Sequence, residues 1–354
     1  MSGSPFDGSL LSGLLGDEEI AAHLSAEAEL REMLRIELAL AQAEAEEGVI
    51  PRQAAQAIAT AWEGFAPDLE RIRSAAKHDG VTPVELVRQL REQVGEPVRQ
   101  FVHLGATSQD LVDTALVLRL VPMLEILSGR IRHVQERLAT LDRSFGQNTL
   151  MGRTRMQDAL PITVHDRLST WDVPLTRHQT RLDELRPRLL LLQFGGAVGT
   201  LDRLGDRGAA VAARLAAALG LGLPGRAWHS QRDCIVELAG WLSLVTGSLG
   251  KLGADIALMA QNRVAEIALR SGGGSSAMPH KQNPVGAEVL VSLAHFNAAQ
   301  VAGMYTALVH EQERSGAAWT LEWMLLPQML MTTGASLRTA IELLDNVDRI
   351  GGNI

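Results

Sequence analysis

The chain has 354 residues, enough for one large domain or two to three modest ones with an ample core. Apolar residues make up 46% and aromatic residues only 4%, and the formal charge is -8. Abundant Ala and Leu favour helices, the negative balance argues against a nucleic-acid backbone binder, and the single cysteine, Cys234, excludes an intrachain disulfide framework. The N-terminus has no basic segment followed by an apolar one, as a secretory signal requires. No run of about 18 uninterrupted apolar residues suggests a membrane span. A cytoplasmic location is the expectation.

Residues 1 to 95 read as a small helical region of their own, closing in the Gly/Pro-marked stretch QVGEPVRQFVHLGATSQD. The segment HLGATSQDLVDTA, residues 103 to 115, sets Thr107 and Ser108 just before an apolar-periodic helix, with Asp110 three residues after Thr107. That spacing is a helix N-cap signal. It is equally a place where free N–H groups and hydroxyls hold a carboxylate. His103 upstream is a general acid or base, or a satisfied polar residue.

Prolines are then sparse, with none between Pro122 and Pro161, Pro224 and Pro279, or Pro284 and Pro327. The gaps carry a 3.6-residue apolar rhythm, as in TALVLRLVPMLEILSGRIRHVQERLATL and ELAGWLSLVTGSLGKLGADIALMAQNRVAEIAL. Helices of that length predict an all-α fold built as a long-helix bundle, and strand signals are nearly absent. Between these helices, GRTRMQDALP (residues 152 to 161) brings together Arg153, Arg155 and Gln157. It reads as a solvated helix end, or as a grip on carboxylates, whose two oxygens suit the guanidinium fork. The small side chains of GDRGAAVAARLAAALGLG and GSLGKLGADIALMA follow from composition bias or from helices buried on several faces inside an oligomer. WHSQRD adds His229 and Arg232, and HEQERSGAAW adds Arg314.

The stretch GGGSSAMPHKQNP, residues 272 to 284, departs from this pattern and holds Lys281, one of only three lysines with Lys77 and Lys251. A phosphate-binding loop of the form G-x-x-x-x-G-K-[ST] does not match it. A Gly/Ser linker would not carry Met278, Lys281 and Asn283 directly after its glycines. What remains is a Gly-hinged loop presenting Ser275 or Ser276 to a developing anion. No metal-ligand spacing and no dinucleotide fingerprint occurs, so chemistry without a cofactor is expected.

GGSSAMPHKQNP resembles the signature loop of the fumarase/aspartase superfamily, and HLGATSQDLVDTA and GRTRMQDALPIT resemble its other two characteristic regions, in the expected order. The opening FDGSLLSGLLGDEEIAAHLSAEAELREMLRIELALAQAEAEEGVIP, with WHSQRD and HEQERSGAAWTLEW, is most similar to the superfamily's muconate-type cycloisomerases. Many lyases of the superfamily have His where this chain has Arg155, and the cycloisomerases lack that His too. The resemblance implies closure of a carboxylated cis,cis-muconate to its lactone, through an aci-carboxylate, in aromatic breakdown. A sulfonated muconate is the nearest alternative substrate, and argininosuccinate- or adenylosuccinate-type elimination a more distant one.

By the same resemblance, Thr107, Ser108, Lys281 and Asn283 bind carboxylates, with Arg155 on an additional anionic group. Arg153, Gln157, Arg232, Ser276, Met278 and Arg314 complete the expected binding set. Ser275 handles the carbon proton by analogy, with His103, His229 and His280 as alternatives. The implied partner is a small tricarboxylate or sulfo-dicarboxylate, with neither nucleic acid nor membrane. The implied assembly is a homotetramer whose core is built from the central helices and whose active sites are shared between subunits. The implied layout is a small domain over residues 1–95, a central bundle over 96–345 and a remnant of a C-terminal domain over 346–354.

Overall fold

The computed structural model describes residues 5–6, 10–274, 277–278 and 281–352. Among the described residues six helices precede residue 96: α1 (Ser12–Leu15), α2 (Glu18–Leu24), α3 (Ala26–Glu46), α4 (Arg52–Trp62), α5 (Leu69–Asp79) and α6 (Pro83–Val94). Their limits follow local chemistry. The Ser25 hydroxyl accepts the Ala28 N–H at the start of α3, and Asp68 caps α5 by accepting from Glu70 and Arg71. Pro83 opens α6, where its missing N–H costs nothing.

The frame of the molecule is α7 (Ser108–Phe145), a single helix of 38 residues and therefore roughly 57 Å long. Leu120, Leu124, Leu127, Ile131 and Val134 recur along one face at helical spacing and are fully buried. After α7 the chain forms β1 (Thr149–Thr154), β2 (Gln157–Thr163), α8 (Val164–Leu189), α9 (Gly208–Leu219) and α10 (Asp233–Met259). It continues through β3 (Ile267–Leu269), α11 (Val285–Ala307), α12 (Ala317–Asp345) and β4 (Val347–Ile350). Helix α10 is apolar and long enough by composition to cross a bilayer, yet it is the centre of the bundle, packed by α8, α11 and α12. At its contact with α11, a Cβ on Gly250 would lie 2.5 Å from Ala294 Cβ, and one on Gly253 would lie 2.5 Å from Ala287 O. Gly250 and Gly253 of GSLGKLG are therefore a packing surface, whereas a Cβ on Gly247 would meet nothing within 4 Å.

The apolar rhythm read through Pro122 is a single helix, and Pro174, Pro187 and Pro327 likewise lie inside α8 or α12. An interior proline costs a helix about 3 kcal/mol, which the extended buried faces of these helices offset. One expectation is corrected: GRTRMQDALP is not a helix end. Strands β1 and β2 pair antiparallel as a hairpin in which Thr154 faces Gln157, and β3 pairs antiparallel with β4.

Candidate active site

The first polar cluster forms at the start of α7. Thr107 has extended backbone, and its N–H donates to Asp110 Oδ2 at 3.0 Å, so the three-residue spacing read from sequence is a true helix cap. Asp110 is buried and also accepts from the N–H groups of Gly195 (3.0 Å) and Gly196 (2.9 Å) and from His229 Nε2 (2.8 Å). The glycine at 195 is required there, because a Cβ would meet Ala227 Cβ at 2.4 Å and His229 Cε1 at 3.1 Å. Arg314 reaches in from the segment before α12. Its Nη1 donates to Thr107 Oγ1 at 3.0 Å and its Nη2 to Ala197 O at 3.0 Å. Upstream, His103 Nδ1 lies 2.5 Å from Glu37 Oε1, a carboxylate supplied by α3. The structure thus gathers His103, Thr107, Ser108, His229 and Arg314 at one end of the bundle.

Arg232 has a different task from the one expected of it. It is buried to 1% exposure and divides its donors between Asp113 (2.7 and 3.1 Å) and Glu322 (3.0 and 2.5 Å), over the face of Trp228. Trp319 Nε1 donates to Asp113, and His310 Nε2 lies 3.1 Å from Glu322 Oε1. Burial alone would lower the Arg232 pKa, but the two carboxylates outweigh it and hold the guanidinium well above its usual range. The same contacts, from His310 and Arg232, pull the Glu322 carboxyl down despite its burial. Arg232 is committed to this internal ion cluster and has no fork left for substrate.

The other predicted residues lie at the far end of α7. Arg153 is tied to Glu266 (2.7 Å) and Asp158 (2.9 Å), which fastens the hairpin to the segment before β3. Arg155 and Met156 are the two residues of the hairpin turn, with φ of 50° and 66°. Tight turns of that hand normally use Asn or Gly, so this tip holds two side chains in a disfavoured backbone region and presents them to solvent. Among the described residues Arg155 makes no ion pair, and Gln157 donates only to the adjacent Met156 carbonyl.

The base of the signature loop is closed by paired backbone bonds between Gly273 and Asn283, each 2.9 Å. Asn346, at the end of α12, anchors it by accepting from Ser271 N (3.1 Å) and donating to Ser271 O (2.6 Å). Lys281 and Met278 are exposed, and Asn283 Nδ2 donates to Gly274 O at 3.4 Å. Ser275, Ser276 and His280 lie outside the described residues. The hairpin and the loop therefore share one end of the bundle, while Thr107 and Arg314 occupy the other.

Sequence reasoning missed the acceptors that organise the first cluster, Glu37 and the Asp113–Glu322 pair. Their partners are 66 to 119 residues away along the chain. Asp110 alone carried a local signal, its spacing from Thr107.

Comparison with known proteins places this geometry. A family model described as lyase matches residues 18–303. A 3-carboxy-cis,cis-muconate cycloisomerase of Pseudomonas aeruginosa is 42% identical over 90% of this chain and 71% of its own length. Its counterpart from Acinetobacter baylyi is 35% identical over 96% of this chain and 77% of its own. The crystal structure of the 3-carboxy-cis,cis-muconate lactonizing enzyme from Pseudomonas putida superposes with a TM-score of 0.90 at 38% identity, covering 96% of this chain and 77% of that one. With its helical bundle and its three motif regions in order, the chain belongs to the fumarase/aspartase superfamily of lyases.

Proposed function

We propose that the chain is a cycloisomerase that interconverts 3-carboxy-cis,cis-muconate and its carboxymuconolactone. The observation that carries this reading is the agreement, along at least nine-tenths of the chain, with enzymes of that activity. In the lactonising direction a substrate carboxylate attacks the neighbouring double bond. The electron pair moves onto an adjacent carboxylate as an aci-carboxylate, and carbon is then protonated. Such chemistry needs fixed donors and cations around the carboxylate oxygens. Thr107, Ser108 and Arg314 would supply them at the α7 start, with Lys281 and Asn283 from the loop. Arg155, exposed and without an ion-pair partner among the described residues, suits the third anionic group of a tricarboxylate.

The site residues in one chain sit at two ends of a helix roughly 57 Å long, so one copy does not bring them to a single substrate. A homotetramer with shared active sites accounts for this and for the exposed hairpin tip. The reading also places the enzyme in the cytoplasm, acting on a small soluble acid. Loss of diene absorbance on adding 3-carboxy-cis,cis-muconate tests the activity, with the 3-sulfo analogue run beside it. Turnover of the sulfonate alone would move the substrate, and turnover of neither would sink the reading. Sedimentation of the active species at the mass of a single chain would overturn the shared site.

A further inference from the structure

We infer that Glu37 is a positioning residue for His103, fixing the tautomer in which the imidazole serves the reaction proposed above. Three observations converge on this pair. His103 is a non-glycine residue held at φ 62°, a backbone conformation that must be stabilised by its surroundings. Arg91 Nη2 donates to the preceding Val102 carbonyl at 2.9 Å, and Glu37 Oε1 receives the ring at 2.5 Å. Glu37 is 2% exposed and belongs to α3, so the contact joins the N-terminal helices to the loop that leads into Thr107.

A carboxylate offers only acceptors, so the Nδ1 facing Glu37 carries the proton and Nε2 keeps its lone pair. Among the described residues Nε2 has no hydrogen-bond partner, and the His103 side chain remains 14% exposed. His229 also faces a carboxylate, Asp110, but through the opposite ring nitrogen, Nε2, and it is buried to 3%. Of the two candidate histidines among the described residues, His229 holds the scaffold and His103 is the more open to a ligand.

The surroundings of Glu37 support the assignment. Glu44, two turns further along α3, is fully buried with neither carboxyl oxygen bonded, and burial followed by the charge of Glu37 pushes its carboxyl up to about 9. Of these two buried carboxyl groups on α3, Glu37 is the one directed at His103.

The test pairs a tautomer measurement with a double-mutant cycle. In wild-type chain labelled with 15N-histidine, His103 should give the Nδ1–H pattern, and Glu37→Leu should shift it toward Nε2–H. The same variant should lower kcat about 10- to 100-fold, by analogy with the loss of a metal-bound histidine's hydrogen-bond partner, with KM little changed. Glu37→Gln, which retains an acceptor oxygen, should recover part of the rate. In a His103→Ala background Glu37→Leu should have no further effect on kcat. An unchanged tautomer in Glu37→Leu, or an undiminished loss in the His103→Ala background, would overturn the assignment. The spectrum is read without substrate, so a chain inactive on carboxymuconate would leave the tautomer result standing.

Discussion

His229 Nε2 lies 2.8 Å from Asp110 Oδ1, and the same carboxylate accepts the backbone N–H groups of Thr107, Gly195 and Gly196. One buried side chain thus sets the start of α7, the turn at 195–196 and a histidine from the segment before α10. Asp110→Ala should cost roughly 3 kcal/mol or more, because it leaves several donors without their acceptor and each unsatisfied buried donor costs about 1–3 kcal/mol. Urea denaturation should show it, with Asp110→Asn losing less because one acceptor oxygen survives. A stability within error of wild type for the alanine variant would contradict this account.

Among the described residues the Arg155 side chain has no ion pair to lose. Arg155→Ala should therefore leave the thermal midpoint within about 1 °C while raising KM by roughly tenfold or more, the loss expected for a charge-assisted contact to a carboxylate. Arg155→Lys should recover charge but not the two-oxygen grip, and should fall between the two in steady-state kinetics. An unaltered KM in the alanine variant would remove Arg155 from the site.

Glu44 makes stability fall toward alkaline pH. Its carboxyl ordinarily titrates at 4.5 but is pushed to about 9 in the folded chain by burial, with Glu37 adding to the effect. Between those values the folded state holds a proton that the unfolded state releases, so stability declines as pH rises through that window. Glu44→Gln should match wild type near pH 5 and exceed it near pH 8, by an amount on the order of a few kcal/mol. Equal denaturation midpoints for the two proteins at pH 8 would show that Glu44 ionises in the fold without cost.

His178 acts from the acid side. It lies within the bundle, where burial, with Arg181 and Arg177 nearby, lowers its pKa from 6.5 to about 4. Arg181 Nη1 donates to Nδ1 at 3.3 Å, which leaves Nε2 as the donor to Ser248 Oγ at 2.8 Å. Between pH 6.5 and 4 the unfolded chain binds a proton that the folded chain refuses, so stability falls as pH drops through that range. His178→Gln should flatten this slope in denaturation midpoints measured from pH 7 to pH 4, and an unchanged slope would assign acid sensitivity elsewhere.

The long helices and the α7 cap were legible because their signals are local: apolar spacing along one face, and Asp110 three residues beyond Thr107. The hairpin was hidden for a local reason as well. Nearly all of β2 is exposed, so no apolar alternation marks it, and its turn uses Arg155 and Met156 in place of Asn or Gly. Pro122 did not hide α7, because the apolar rhythm continues on both sides of it and the inner face of the helix is deeply buried. The role of Arg232 was illegible for another reason. Asp113 and Glu322 are 119 and 90 residues away from it, and only the packing of α7 against α12 brings all three together.

The length of α7 has a consequence for output inside a cell. Its 38 residues keep Thr107 and Arg155 too far apart to meet on one substrate. Under the shared-site reading, a freshly made chain is inert until it finds others. Activity then rises more steeply than in proportion to expression, and halving the amount of protein removes more than half of the flux when copies are scarce.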